Sequence, residues 1–303
     1  MLRLLSMKHN DKEQLGVESE DGERILVLAD AFRQLQPGTE CPVDMSTAIQ
    51  RGESFLNSAA EVMEQALAKG EDEAFWVKID EVERRAPITK PPKNIMCVGK
   101  NYAAHALELD HDADLPEHPL IFTKPHTSIV GHEQPVSIHP EVTDQVDYEG
   151  EVAVVIGREG TKIKREEAWN HVFGVTLLND VTARDLQARH KQFFLGKGLD
   201  GFSPLGPVIV TDVDERTLAK QHLTVTVNGE TRQSAPLTDM IFDIPDLIHI
   251  ISRGMTLEPG DIIATGTPAG VGKGMEPPQY LRAGDEVSVH LPLVGTLRNK
   301  MTE

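Results

Sequence analysis

Asp147-Tyr148-Glu149-Gly150-Glu151-Val152-Ala153-Val154-Val155-Ile156-Gly157 decides how this chain is read. Side chains alternate along a strand, so Glu149 and Glu151 share one face, roughly 7 Å apart. That face continues as Ala153 and Val155, while Val152, Val154 and Ile156 occupy the other. Both faces are apolar beyond the glutamates, which predicts a strand buried on both sides. Two like charges at the end of such a strand repel and lose solvation. A hard cation with oxygen ligands relieves both costs. The alternative is a strand end emerging into water, with both glutamates solvated.

A third carboxylate follows. Residues 172–178 form another apolar run, ending at Asn179-Asp180, where the chain is predicted to enter a helix over 181–190. Thr182 and Asp185 read as a capping-box-like pair at its start. Asp180, Arg184 and Gln187 stand at i, i+4 and i+7, one polar stripe of that helix. The stripe suggests a polar cleft at a strand's carboxyl end. Asp180 as a simple turn residue is the plain alternative. For Arg184 the alternative is an i,i+4 ion pair with Asp180, worth only about 0.2–0.5 kcal/mol.

Outward from this centre, the first ninety residues read as a small unit. Glu20-Asp21-Gly22 is a turn before the apolar run 25–28, and helical patterns cover 45–50 and 55–67, the second ending at Gly70. Pro87 and Pro91-Pro92 mark a boundary, giving an N-terminal α+β domain over 1–90 and a catalytic domain over 91–303. Strands are predicted at 95–98, 151–156, 172–178 and 208–210. Residues 223–227 turn at Asn228-Gly229 into a hairpin. Glu258-Pro-Gly-Asp-Ile and Arg282-Ala-Gly-Asp-Glu-Val each place a glycine turn before a strand. Beyond residue 94 helices are few, with 181–190 and 242–253 the best candidates. Strands and helices do not alternate, so the fold class is α+β, mostly β, a mixed β-roll or sandwich rather than a doubly wound sheet.

The 303 residues carry a formal charge of −18, with 48 acidic against 30 basic side chains. That field disfavours nucleic acid and anionic membrane as partners, and an anionic substrate would need cations supplied locally. Cys41 and Cys97 do not make a disulfide framework and read as small buried hydrophobes. No apolar run reaches membrane-spanning length, and the start of the chain runs directly into the charged segment 8–20, so a cytoplasmic location is expected.

Two further segments carry chemistry. In Gly99-Lys-Asn-Tyr-Ala-Ala-His-Ala-Leu-Glu, His105 and Glu108 lie at i and i+3, neighbours on a helix. A carboxylate there fixes the imidazole tautomer and raises its basicity; an exposed helix face is the plain alternative. The loop 265–274 fails as a phosphate-binding P-loop. Five residues separate Gly266 from Gly272-Lys273, where the motif needs four, and Gly274 follows where it needs Ser or Thr. Thr267 with nearby amides suits a carboxylate, or the loop is only a tight turn. No Gly-x-Ser-x-Gly elbow argues for a serine hydrolase.

Asp147-Tyr-Glu-Gly-Glu, Asn179-Asp-Val-Thr-Ala-Arg-Asp-Leu-Gln, Gly196-Lys-Gly-Leu-Asp-Gly-Phe and Thr265-Gly-Thr-Pro-Ala-Gly-Val-Gly, in this order and spacing, resemble the fumarylacetoacetate hydrolase family over residues 94–301. The resemblance implies that family's C-terminal fold and Mg²⁺ or Mn²⁺ held by Glu149, Glu151 and Asp180; an all-oxygen set suits those ions better than zinc. It also implies a lid, around 110–118, in which His105 and Glu108 close over the metal. Lys197 is expected to reach substrate together with Arg184 and Gln187, with Lys124 near the site, and the chain to form a homodimer.

The expected activity is C–C cleavage of a small 2-oxo acid chelated through carboxylate and keto oxygen. Oxaloacetate decarboxylation and acylpyruvate hydrolysis come first, and only the latter needs water activated by His105 and Glu108. Enol–keto isomerisation, as of 5-carboxymethyl-2-hydroxymuconate, is the alternative. A regulatory or binding protein, docking a protein partner through residues 1–90, is the reading of another class.

Overall fold

A computed structural model describes residues 1–70, 74–109 and 114–303. The stretch from Gly150 to Ile156 is a strand buried along its whole length. It lies inside a mixed sheet of twelve strands among the described residues. The main path runs Trp76–Lys78, Arg24–Val27, Lys12–Glu18, Arg3–His9, Ser203–Val210, Val172–Asn179, Gly150–Ile156, Ile262–Ala264, Ile95–Gly99, Leu120–Lys124. On this path only the pair Ile262–Ala264 with Ile95–Gly99 is parallel. A second sheet orders Glu230–Pro236, His222–Val227, Glu286–Leu291, Gly295–Thr302 and Val136–Ser137. The fold is α+β and mostly β.

The double burial of the central strand has two causes. Val152, Val154 and Ile156 join a core with Val225, Val287, Val289 and Leu297 of the second sheet. Ala153 and Val155 belong to another core, which continues to Phe32, Ile49 and Phe55 on the helices Leu28–Leu35, Met45–Arg51 and Glu53–Lys69. Gly150 sits where the sheets meet. A Cβ there would lie 2.3 Å from Val225 Cγ2 and 3.1 Å from Val289 Cγ1, so only glycine fits between the two glutamates.

Several sequence expectations are modified. The helix predicted over 181–190 begins at Arg184, because Thr182 and Ala183 instead pair with Asp147 and Val146. Thr182 and Asp185 form no capping box: the Thr182 hydroxyl donates to the Asp180 carbonyl, and Asp185 accepts from Thr143. Helix Leu28–Leu35 was not anticipated. Its entry residue Val27 offers no side-chain cap, and the apolar run 25–28 straddles the strand-to-helix change. At the hairpin, Asn228 and Gly229 have φ of 51° and 80°, the signs a type I′ turn needs. Hydrogen bonding also crosses the proline cluster near residue 90. Leu4 pairs with Ile209, so the N-terminal strands extend the sheet that carries the central strand. Among the described residues no helix is long and apolar enough to cross a membrane.

One buried imidazole at the junction of the N-terminal strands and the second sheet makes stability pH-dependent. Burial and then the Arg84 charge push the His132 pKa down to about 4 from 6.5. A histidine held neutral by folding contributes fully above its unfolded pKa, and that contribution is lost as pH falls from 6.5 towards 4. The urea midpoint is therefore expected to drop between pH 7 and pH 5, and to drop less in His132→Gln. An equal drop in both proteins removes His132 as the cause.

Candidate metal centre and active site

Strand pairing brings the three acids together. Gly150 pairs with Asn179 and Glu151 with Leu178. Just beyond, the Asp180 amide donates to the Glu149 carbonyl at 2.7 Å, and the Glu149 amide donates to Asn179 Oδ1 at 3.0 Å. Glu149, Glu151 and Asp180 are all buried, and one carboxylate oxygen from each lies within 4.8 Å of the others. Oxygens around one Mg²⁺ at about 2.1 Å lie within about 4.2 Å of each other, so the trio needs little contraction.

Charge counting shows what the cluster lacks. Lys197 Nζ donates to Glu149 Oε2 and Asp180 Oδ2, both at 2.6 Å. Lys124 Nζ reaches Asp180 Oδ1 at 2.6 Å and the Val181 carbonyl at 3.0 Å. Arg184 holds Asp147 through Nε at 2.8 Å and Glu149 through Nη1 at 2.6 Å. Among the described residues four buried carboxylates thus face three buried cations, and Glu151 is the one without a partner cation. Its Oε2 accepts only the Gly266 amide, at 2.8 Å. Burial pushes the Glu151 carboxyl well above the usual range, and the charges of Asp180 and Glu149 push it further. Burial acts on Glu149 in the same sense, but Lys197 and Arg184 outweigh it and hold that carboxyl well below normal. A divalent cation with oxygen ligands meets the deficit at Glu151, so the residues fit Mg²⁺ or Mn²⁺.

The helix Ala103–Leu109 carries the anticipated acid–base pair. His105 is buried, its Nδ1 3.4 Å from Glu108 Oε2. That separation is long for a hydrogen bond. Glu108 Oε1 accepts the Gly270 amide at 2.9 Å. A Cβ on Gly274 would lie 2.4 Å from Glu108 Cδ, so the loop admits Glu108 only because that position is glycine. Residues 110–113 of the expected lid lie outside the described residues.

The remaining expected site residues divide. Lys197 does not sit in a solvated loop; it closes the short helix Phe194–Lys197 and lies 4.8 Å from the Phe122 ring centre. Arg184 forms no pair with Asp180, because Asp180 precedes the helix rather than lying on its stripe. Gln187 Oε1 accepts from Arg184 Nη1 at 3.3 Å. Lys124 is wholly buried, its ammonium taken up by Asp180 and Val181. The Thr267 hydroxyl donates to the Gly150 carbonyl at 2.9 Å and accepts from Gln233 at 2.7 Å, so its proton is already committed. Three supporting residues escaped the sequence reading. Asp147 accepts from Arg184 and from the Gly272 and Lys273 amides. Asn101 ties the entry to the helix Ala103–Leu109 to Phe242 and Thr265, and Gln233 ties Gly150 to Thr267. Only Asp147 had a signal, its place two residues before Glu149.

A buried acidic trio that could hold a metal ion, with a His–Glu helix set against its glycine loop, places the chain in a class of carboxylate-centred sites. Residues 94–302 match the family described as fumarylacetoacetate (FAA) hydrolase C-terminal. The chain belongs to the fumarylacetoacetate hydrolase family. It is 50% identical over 283 residues to the oxaloacetate tautomerase YisK of Bacillus subtilis strain 168, covering 93% of this chain and 94% of that one. Among solved structures it resembles a fumarylacetoacetate hydrolase from Exiguobacterium antarcticum, with 39% identity and a TM-score of 0.82, covering 100% of this chain and 99% of the other. A 2-hydroxyhepta-2,4-diene-1,7-dioate isomerase from Mycobacterium marinum gives 32% identity and a TM-score of 0.74, covering 100% and 98%.

Proposed function

We propose that this chain catalyses the enol–keto tautomerisation of oxaloacetate or a closely similar 2-oxo dicarboxylate, with Mg²⁺ or Mn²⁺ held by Glu149, Glu151 and Asp180. The observation that carries this reading is the uncompensated Glu151 charge beside three buried cations. With all four carboxylates ionised the cluster carries one net negative charge, and a bound divalent ion would make that one net positive charge. A dianion is then attracted locally despite the −18 charge of the whole chain. The ion would supply Lewis acidity that stabilises negative charge on the enolate oxygen.

This chain's own residues do the rest. Among the described residues Arg184 Nη2 is buried without a hydrogen-bond partner, which suits it to donate a charge-assisted hydrogen bond to a substrate carboxylate. His105 takes the proton from C3 of the keto form and returns one to the enol oxygen in the forward sense; no water is consumed. Glu108, anchored by the Gly270 amide, orients the imidazole for that exchange. Sequence alone put C–C cleavage first; the similarity to an oxaloacetate tautomerase moves weight to proton transfer. Cleavage remains the second reading, because the same His105–Glu108 pair suits activation of water.

The ultraviolet absorbance of enol-oxaloacetate, followed with Mn²⁺ while pyruvate is measured in parallel, tests this directly. Enol loss without pyruvate release is expected, slowed by about 10²-fold or more in His105→Ala, the range for one acid–base group. Pyruvate formed in step with enol loss transfers the assignment to decarboxylation.

A further inference from the structure

Away from the metal centre, a cleft of about 390 Å³ opens between the N-terminal strands and the second sheet, lined in part by Arg3, Glu18, Arg84, His132, Thr296 and Arg298. We propose that this cleft is a binding site for a small carboxylate anion, held by Arg84 and His132.

His132 is only 5% exposed. Its Nδ1 accepts the Arg298 amide at 3.1 Å, which places the ring proton on Nε2. Among the described residues that Nε2 has no hydrogen-bond partner; the Glu133 carboxylate oxygen stands 3.5 Å away, too far for a good bond. A buried N–H donor left unpaired costs on the order of 1–3 kcal/mol, so its persistence calls for a ligand. Arg84, from the strand Glu83–Arg84, is partly buried, and among the described residues its guanidinium makes no hydrogen bond or ion pair.

The other charges in the cleft cancel in pairs. Arg3 is committed to Glu18 Oε1 at 2.8 Å and to the carbonyls of Leu293 and Val294. Arg298 is paired with Glu133. What remains, among the described residues, is one guanidinium with no direct partner, in the fields of Glu133 and Glu18, beside one neutral N–H donor. A carboxylate matches this set, taking two parallel bonds from Arg84 and one from His132. Dianionic phosphate matches it less well, since its second charge would face Glu18 and Glu133 unpaired. Arg84 belongs to the N-terminal ninety residues and His132 to the segment joining the two sheets, so a bound anion would bridge them.

The ring N–H signals of histidine in ¹H–¹⁵N spectra at pH 8 read this site without involving the metal centre, and His132→Gln assigns the resonance. Titrating acetate should move the His132 Nε2–H signal saturably in the wild type. In Arg84→Gln the apparent affinity should fall by about tenfold or more, the worth of one charge-assisted bond, with turnover unchanged. Arg84→Lys keeps the charge without the fork, and is expected to bind more weakly than wild type and more tightly than Arg84→Gln. An unmoved signal in the wild type, or equal affinity in wild type and Arg84→Gln, refutes the site. Inorganic phosphate competing as well as acetate refutes the carboxylate class.

Discussion

Glu151→Gln is expected to lose the thermal stabilisation given by Mn²⁺ while its metal-free form melts no lower than the wild type. The two halves of that result have opposite signs, and one charge explains both. Glu151 is 1% exposed, has no partner cation, and its carboxyl is driven up by burial and by Asp180 and Glu149. Glutamine removes the unmet charge and can still accept the Gly266 amide through its carbonyl oxygen. The metal-free fold is therefore relieved of a repulsion. An ion held by Glu149, Glu151 and Asp180 would, however, lose one of its three carboxylates. At a hundredfold excess over Kd, ligand binding stabilises a folded chain by about 2.7 kcal/mol. That increment should vanish in the variant at the same Mn²⁺ concentration. Turnover should fall by more than about 100-fold, the upper end for merely outer-shell partners of a metal. A Glu151→Gln protein that keeps its Mn²⁺ shift in differential scanning calorimetry places the ion elsewhere.

The central strand was legible because its pattern and its environment agree. Alternation put both glutamates on one face, and apolar residues on both faces announced two covering layers. The type I′ hairpin at Asn228-Gly229 was legible for a local reason, the positive φ that those residues tolerate. Failures occurred where a distant partner decides the local structure. Thr182 and Asp185 have capping chemistry, but pairing with Val146 and Asp147 extends residues 182–183 into a strand. Arg184 shares a helical stripe with Asp180 on paper, yet its partners lie some thirty-five residues upstream. Gln233 comes from the other sheet, and no spacing in the sequence links it to Thr267. The acids were visible because chemistry-bearing residues cluster in short motifs. The cations that balance them were visible only as members of those motifs, not as a network.

Lys124 shows how much that network holds. Lys124→Met should destabilise the metal-free protein by about 3–5 kcal/mol, the cost of removing one partner of a buried ion pair. The side chain is 0% exposed, and its ammonium is the donor to both Asp180 Oδ1 and the Val181 carbonyl. Methionine fills a similar volume, so the loss is electrostatic rather than a cavity. Burial pulls the Lys124 pKa down, with Asp180 opposing it, which marks a pair held by proximity against desolvation. Once the lysine is gone, Asp180 keeps only Lys197, and a cation among Glu149, Glu151 and Asp180 becomes worth more. Mn²⁺ should therefore recover part of the lost stability, and its thermal shift should be larger in Lys124→Met than in the wild type. Urea unfolding with and without Mn²⁺ measures both quantities. A loss below about 1 kcal/mol, the range of an exposed ion pair, would mean that Lys124 does not neutralise Asp180. A large loss with no extra gain from Mn²⁺ would mean that Asp180 is not a ligand.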